Sequence, residues 1–137
     1  MMNLPPYTVI PSSNMSQSSS VTVLVNIATV ERAMNNLEFT VGFTERELSL
    51  GTSTRRGVHS IAARYAAKKA AERLTGISWD TFEVFRHTDE PPVLYNRESG
   101  ASLVSQFALS LTHDEPFAGA YVVDLQRADP LVGSLLD

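Results

Sequence analysis

The 137-residue sequence contains no cysteine, which excludes disulfide bonds and thiolate metal sites. Charged residues make up only 19% of it, and the net charge of −4 argues against nucleic acid as an electrostatic partner. No apolar run approaches the length of a membrane span, and the N-terminus lacks the basic start and apolar centre of a signal peptide. These absences predict a soluble cytoplasmic protein with no membrane or nucleic-acid partner.

The two ends of the chain differ in composition from its middle. Residues 1–20 hold three of the seven prolines and six serines, which predicts a flexible extension or an arm laid on a neighbouring subunit. Residues 21–137 are short enough to form a single domain. The moderately apolar tail ADPLVGSLLD could dock on the core or on a partner.

The first half of this domain is predicted to contain one strand and three helices. Val21–Ile27 is β-branched and nearly all apolar, which is typical of a strand buried on both faces. A short helix is expected in ATVERAMNNL, and Thr44 with Glu47 gives a capping-box pattern at the start of another. After the turn-forming loop GTSTRRG, the main helix is expected over about Val58–Thr75, ending at Gly76.

The second half reads as strands. TFEVFR and VLYN are separated by a turn, and FALSLTH and FAGAYVVDL flank the turn DEP as a hairpin. One strand, then helices, then several strands predict an α+β fold with a mainly antiparallel sheet around one long helix. The alanines of that helix permit close backbone approach, so the sheet is expected to wrap it tightly.

The long helix carries two adjacent lysines that face different ways. At about 100° per residue, Lys69 follows Tyr65 on a mainly apolar face, whereas Arg64 and Lys68 lie on another side. Glu72 can pair with Lys68 at i,i+4. Lys69 is expected to extend its ammonium to solvent or to pair with Glu72 at i,i+3.

Four stretches, in order, resemble the motifs of the holo-acyl-carrier-protein synthase family: LVNIATVER, FTERE, ARYAAKKA and LSLTHD. The similarity covers about residues 21–125. It implies the 4'-phosphopantetheinyl transferase fold and a trimer-forming domain with sites between subunits. It also implies the family's reaction, in which the phosphopantetheine arm of coenzyme A moves to a serine of an acyl carrier protein. In the family, magnesium bridges the pyrophosphate and is held by an aspartate of the first strand and a glutamate of the long helix.

The sequence departs from this pattern at both metal ligands. Asn26 stands at the aspartate position and Lys69 at the glutamate position. Two carboxylates would give the site a charge of about −2, whereas this pair gives about +1, and magnesium prefers carboxylate and phosphate oxygens. A protonated lysine cannot bind a metal, although it can neutralise a pyrophosphate oxygen. No metal is therefore expected, and Asn26 could instead end the strand by bonding backbone groups.

The remaining site residues are predicted from their places in the matched motifs. The predicted catalytic residues are Lys69, His113 and Asn26; the predicted substrate-binding residues are Arg64, Lys68, Tyr65 and Ser110; the predicted carrier-docking residue is Arg32. The series Ser110, His113, Asp114 also invites a nucleophile–base interpretation, but a strand-end turn uses the same residue types. Arg55 and Arg56 are interpreted as a solvated loop.

Three functions are compatible with these residues. The preferred hypothesis is a repurposed cleft that has lost magnesium-dependent transfer. It would take a polyketide-like or carrier-tethered acyl intermediate through cyclase, dehydratase or isomerase chemistry, with no cofactor. The second is an active 4'-phosphopantetheinyl transferase that uses coenzyme A, with or without magnesium. The third is a non-catalytic carrier-protein-binding or regulatory subunit. A homotrimer, an acyl carrier protein and a small-molecule ligand are the expected partners.

Overall fold

The computed structural model describes residues 4–10, 19–53 and 56–126. The strands within these ranges are β1 (Tyr7–Ile10), β2 (Ser20–Asn26), β3 (Phe82–Phe85), β4 (Val93–Asn96), β5 (Phe107–Asp114) and β6 (Phe117–Asp124). The α-helices are α1 (Ile27–Ala33), α2 (Leu37–Thr40), α3 (Glu45–Ser53) and α4 (Gly57–Thr75), and a 3-10 turn covers Trp79–Thr81. No helix in these ranges is long and apolar enough to cross a membrane.

All strand pairs are antiparallel, which confirms the predicted α+β architecture. One sheet has the order β1-β2-β6-β5, and β3 pairs with β4 in a separate two-stranded sheet. The predicted hairpin is the pair β5–β6, joined at the turn Glu115–Pro116. The four-stranded sheet packs on α4, whose residues 61–71 are all buried, so the sheet and helices enclose this helix as expected.

Helix ends follow local sequence signals. The capping box is present, because the Thr44 amide donates to Glu47 Oε1 at 2.9 Å and the Glu47 amide donates to Thr44 Oγ1 at 3.3 Å. Helix α4 ends at Gly76, which adopts φ = 76°, a left-handed conformation that suits glycine. The prediction that a loop begins at Gly51 was partly wrong, because α3 continues to Ser53. Residues 54 and 55, which include Arg55, lie outside the described residues.

Strand β2 is buried on one face and half-buried on the other, so the prediction of burial on both faces was wrong. Val23 and Val25 are buried, whereas Thr22 and Leu24 are only partly covered. The alternation arises because one face packs on α4, whereas the residues of the opposite face are more exposed.

The N-terminal segment also corrects a prediction. Residues 7–10, which were expected to belong to a flexible extension, form the edge strand β1 along β2, with Tyr7 opposite Val25. Pro5 is buried, and its carbonyl accepts a hydrogen bond of 2.8 Å from the Tyr65 hydroxyl. The composition signal failed because it was read over 20 residues, whereas Tyr7–Ile10 itself contains neither serine nor proline. Residues 1–3, 11–18 and the tail 127–137 lie outside the described residues.

A charged network ties α3 to β3. Arg46 donates two hydrogen bonds of 2.7 Å to Glu83, and the Thr44 hydroxyl donates to Glu83 at 2.6 Å. These hydrogen bonds, chiefly those from Arg46, lower the pKa of Glu83 below its ordinary value, although partial burial opposes the shift.

Acid is expected to weaken the fold through Glu83. A carboxyl group with a lowered pKa in the folded state stabilises the fold above its unfolded pKa, and this stabilisation is lost as the pH falls through the folded value. The free energy of unfolding should therefore fall in acid, and fall less steeply in Glu83→Gln than in the wild type. Urea denaturation across the acidic range measures both slopes. Exposed Glu90→Gln is the control and should keep the wild-type slope; equal slopes in all three proteins would contradict the prediction.

Candidate functional site

Lys69 lies in a partly enclosed aromatic pocket beside α4. Its ammonium pairs with Glu72 Oε1 at 3.1 Å, as expected for i,i+3. The Nζ atom is 5.4 Å from the ring centroid of Tyr7, 6.0 Å from that of Tyr65 and 5.7 Å from that of Trp79. These distances are within the range of cation–π attraction. With 8% of the residue exposed, the side chain does not extend into open solvent.

Lys68 pairs with a different acid from the one expected. Its ammonium donates to Glu47 Oε1 at 2.7 Å and to the carbonyl of Gly42 at 2.9 Å. Glu72, predicted as the Lys68 partner, bonds Lys69 instead. Burial lowers the pKa of Lys68 to about 8, while the charge of Glu47 opposes that shift. Lys68 and Glu47 are fully buried, so Lys68 presents no surface to a substrate in this chain.

Two other predicted substrate-binding residues also contact the protein's own groups. Arg64 donates to the carbonyls of Val84 at 3.1 Å and Ser60 at 3.3 Å, and burial lowers the pKa of its guanidinium. Tyr65 is fully buried, and this burial raises the pKa of its hydroxyl. In the structure these residues hold α4 against β3 and the N-terminal segment, rather than facing an open cleft.

Asn26 ends β2 and begins α1. Its Oδ1 accepts hydrogen bonds from the amides of Ala28 at 2.9 Å and Thr29 at 3.3 Å, an N-cap arrangement. The amide of Ile27 donates to the Pro116 carbonyl at 2.9 Å, which ties this junction to the β5–β6 turn. These contacts confirm the interpretation that Asn26 ends the strand by bonding backbone groups.

A histidine pair lies near the start of α4. The rings of His59 and His113 have centroids 5.3 Å apart, and His59 Nε2 is 2.9 Å from Glu115 Oε1. An open cleft of about 550 Å³ lies beside them, lined by Ile27, Glu31, Arg56, Val58, His59 and Glu115. Sequence reasoning missed His59 and Glu115, and it interpreted Arg56 as a solvated loop residue. Arg56 is exposed as expected, but it lines this cleft.

Lys69 and His113 are not brought together within one chain. His59, which contacts His113, precedes Lys69 by about 15 Å along α4 at 1.5 Å per residue. Asn26 lies beside the β5–β6 turn, because it pairs with Phe117 and the amide of the next residue, Ile27, donates to the Pro116 carbonyl. The predicted catalytic residues therefore do not form one cluster in this chain. Lys69 lies in one pocket, and His113 lies beside the histidine cleft.

The two remaining predicted residues are accessible. Ser110 is exposed on β5, opposite Tyr121 of β6. Arg32 is exposed in the last turn of α1 and borders a shallow groove that Leu4, Pro5 and Pro6 also line. Both positions are open to a partner, as their predicted roles require.

Asn26, Lys69 and Glu72 do not fit magnesium. The Asn26 carbonyl oxygen already accepts two amides, and Glu72 offers Oε1 to Lys69 and Oε2 to the Trp79 amide at 2.9 Å. The ion requires near-octahedral oxygen coordination, and an ammonium is not a ligand. Across residues 4–10, 19–53 and 56–126, no three His, Asp or Glu side chains are grouped to hold a metal.

Curated relatives share most of their length with this chain. It is 34% identical over 119 residues to a holo-[acyl-carrier-protein] synthase of Streptomyces avermitilis, covering 77% of this chain and 97% of that protein. The same values hold for a holo-[acyl-carrier-protein] synthase of Streptomyces coelicolor. No protein-family model matches the chain.

Solved structures of the same family share the fold. The holo-(acyl-carrier-protein) synthase of Bacillus anthracis, in complex with CoA (3',5'-ADP), superposes with a TM-score of 0.63 at 22% identity, over 77% of this chain and 94% of that one. The Helicobacter pylori holo-[acyl-carrier-protein] synthase in complex with coenzyme A gives 0.59 at 21% identity, over 77% and 98%. The resemblance seen in the motifs is thus confirmed at the level of whole-chain similarity and of fold.

Proposed function

The chain belongs to the holo-acyl-carrier-protein synthase family, and we therefore propose that it transfers the phosphopantetheine arm of coenzyme A to a serine of an acyl carrier protein. The observation that supports this is 34% identity extending over 97% of the Streptomyces avermitilis protein. Similarity over nearly a whole relative favours a shared reaction more than similarity in one motif does.

The transfer requires one nucleophile, one leaving group and one proton acceptor. The serine oxygen attacks the phosphorus that bears the pantetheine arm, and a new P–O bond replaces the bond to the bridging oxygen. Adenosine 3',5'-bisphosphate leaves with that electron pair, and the serine proton passes to a base. Histidine is the side chain that most often moves protons near neutral pH, and exposed His113 is our candidate for the base. In the proposed homotrimer it would come from a neighbouring subunit, since His113 and Lys69 do not meet within one chain.

The accessible residues suggest how partners would meet the chain. We assign carrier docking to exposed Arg32, since a surface cation can steer an acidic partner. We also retain the homotrimer and the cytoplasmic location as proposals. Support for a homotrimer comes from large apolar residues on the outer face of the sheet: Ile10, Phe117 and Tyr121 are 43%, 47% and 46% exposed.

The hypothesis of a repurposed cleft gains no support from the comparisons, which favour transfer. The observation behind that hypothesis is the exchange of the family's two carboxylates for Asn26 and Lys69. A cyclase, dehydratase or isomerase, or a non-catalytic carrier-binding subunit, therefore remains only as the alternative that the following experiment tests.

Incubation of the full chain with an apo acyl carrier protein and coenzyme A is expected to add one phosphopantetheine group to the carrier. Intact-mass spectrometry measures the product. His113→Ala should slow the reaction by about 100-fold or more if His113 is the base. The matched control is His87→Ala, because His87 is an exposed histidine on the loop after β3, away from His113 in β5, and should leave the rate unchanged.

An unmodified carrier, beside a family enzyme that modifies it under the same conditions, would overturn the proposed transfer. Acyl intermediates would then be tested as ligands. An unchanged rate in His113→Ala, with transfer intact in the wild type, would remove only the assignment of His113.

A further inference from the structure

We infer that Lys69 acts as a fixed, protein-borne cation at the position where the family holds magnesium, so that this chain binds the diphosphate of its ligand without a divalent metal. The identity of the ligand rests on the proposed function. The exclusion of the metal does not, because it follows from the contacts of Asn26, Lys69 and Glu72.

The oxygen atoms at this position already have partners. Asn26 Oδ1 caps α1 through two amides, at 2.9 Å and 3.3 Å. To bind a metal, this oxygen would have to give up its N-cap bonds, which would destabilise the start of α1. Glu72 has one oxygen on Lys69 and the other on the Trp79 amide. Neither residue therefore offers a carboxylate to an incoming cation.

The charge at this position is also wrong for a divalent ion. Neutral Asn26, positive Lys69 and negative Glu72 sum to about zero, where a magnesium site needs net negative charge. The ammonium of Lys69 is held by Glu72 and by the faces of three aromatic rings. A cation in this place would repel a second one at short range.

Lys69 keeps the capacity to bind an anion. Within the part of the chain that the structure describes, Glu72 is the one hydrogen-bond acceptor of its ammonium. Two of its three N–H donors therefore have no acceptor there, and an anion would reach them through the 8% of the residue that is exposed. Lysine is a common phosphate-binding residue. Tyr7 of β1 and the backbone of α4 hold this ammonium in place. The protein therefore carries a positive charge for the diphosphate before the ligand binds, whereas a metal ion would have to bind together with the ligand.

Trp79 gives a direct test, because it is the chain's one tryptophan and its ring lies 5.7 Å from Lys69 Nζ. Manganese alone, a paramagnetic quencher, is titrated while tryptophan fluorescence is recorded. The wild type is expected to show no saturable loss. The double variant Asn26→Asp/Lys69→Glu, which restores both carboxylates, should show one.

The control for this titration is Asn26→Asp/Arg73→Glu, which makes the same charge change at an exposed position of α4 and should show no saturable loss. A urea unfolding curve checks that each variant is folded. A saturable loss in the wild type would overturn the inference. No loss in the folded Asn26→Asp/Lys69→Glu variant would also overturn it, because Lys69 would then not be what excludes the metal.

Coenzyme A binding tests the second half of the inference. By calorimetry, the wild type should bind coenzyme A with affinities that agree within about twofold in chelator and in magnesium. Lys69→Met should weaken binding by about tenfold or more, whereas Arg73→Met should not. Binding that requires magnesium would overturn metal independence. No binding under either condition would reject coenzyme A as the ligand, and with it the proposed transfer. The manganese titration would still test whether the site excludes a divalent metal.

Discussion

Replacing Lys68 by Met is expected to lower the free energy of unfolding by about 3–5 kcal/mol, because it removes one partner of a fully buried ion pair. The Glu47 carboxylate would keep the amides of Thr44 and Val84, at 2.9 Å and 2.8 Å, but would have no counter-charge. The Gly42 carbonyl would lose its donor as well. Urea denaturation followed by circular dichroism measures the change.

Two variants separate the ion pair from a general effect of substitution on α4. Arg73→Met changes an exposed cation on the same helix and should alter stability by no more than about 0.5 kcal/mol. Adding Glu47→Gln to Lys68→Met neutralises the stranded carboxylate and should cost less than the two single changes added together. A Lys68→Met protein as stable as Arg73→Met would show that the pair contributes nothing.

Gly42→Ala is expected to destabilise the fold by about 3 kcal/mol, because the added methyl group would force Trp79 from its position. A Cβ at residue 42 would lie 2.0 Å from Trp79 Cη2, and two other atoms of the same ring are within 2.6 Å. The ring cannot move easily, since it is stacked on Phe39 and meets Phe43 and Tyr65 edge to face. Urea denaturation followed by circular dichroism again gives the measurement.

A rescue experiment identifies the cause. The three atoms that meet the added Cβ all belong to the six-membered ring of the indole, which reaches farther than a phenyl ring. Gly42→Ala should therefore cost less in a Trp79→Phe background than in the wild type. Equal costs in the two backgrounds would show that the clash with Trp79 is not the reason for the loss.

Local sequence patterns predicted the elements that depend on neighbours in the chain. The Thr44–Glu47 capping box, the end of α4 at Gly76 and the β5–β6 hairpin all formed as expected. Each of these signals extends over three or four residues or over one turn. Local backbone geometry is therefore enough to determine the helix end or the turn that each signal predicts. The order of these elements predicted an antiparallel sheet around one long helix, and the resemblance to a family implied the same arrangement.

The contacts around the site required the tertiary structure. Lys68 had an acid within one helical turn, Glu72, yet it pairs with Glu47, 21 residues away in the sequence. The reason is burial: Lys68 faces the interior, where only a partner that is also buried can meet it. No sequence pattern joins His59 to His113, because the two residues belong to different elements that packing brings side by side.

The amino-acid sequence by itself determined the α+β architecture and the helix ends, and its resemblance to the family implied that Asn26 and Lys69 stand at the two metal-ligand positions. Those features follow from residue identity and short-range backbone geometry. Only the tertiary structure decided that the Tyr7 ring of β1 lies 5.4 Å from the Lys69 ammonium, that Glu72 pairs with this ammonium and that the side-chain oxygen of Asn26 caps a helix. The physical reason is that a side chain's partner is chosen by which groups are buried together, and burial is a property of the packed chain.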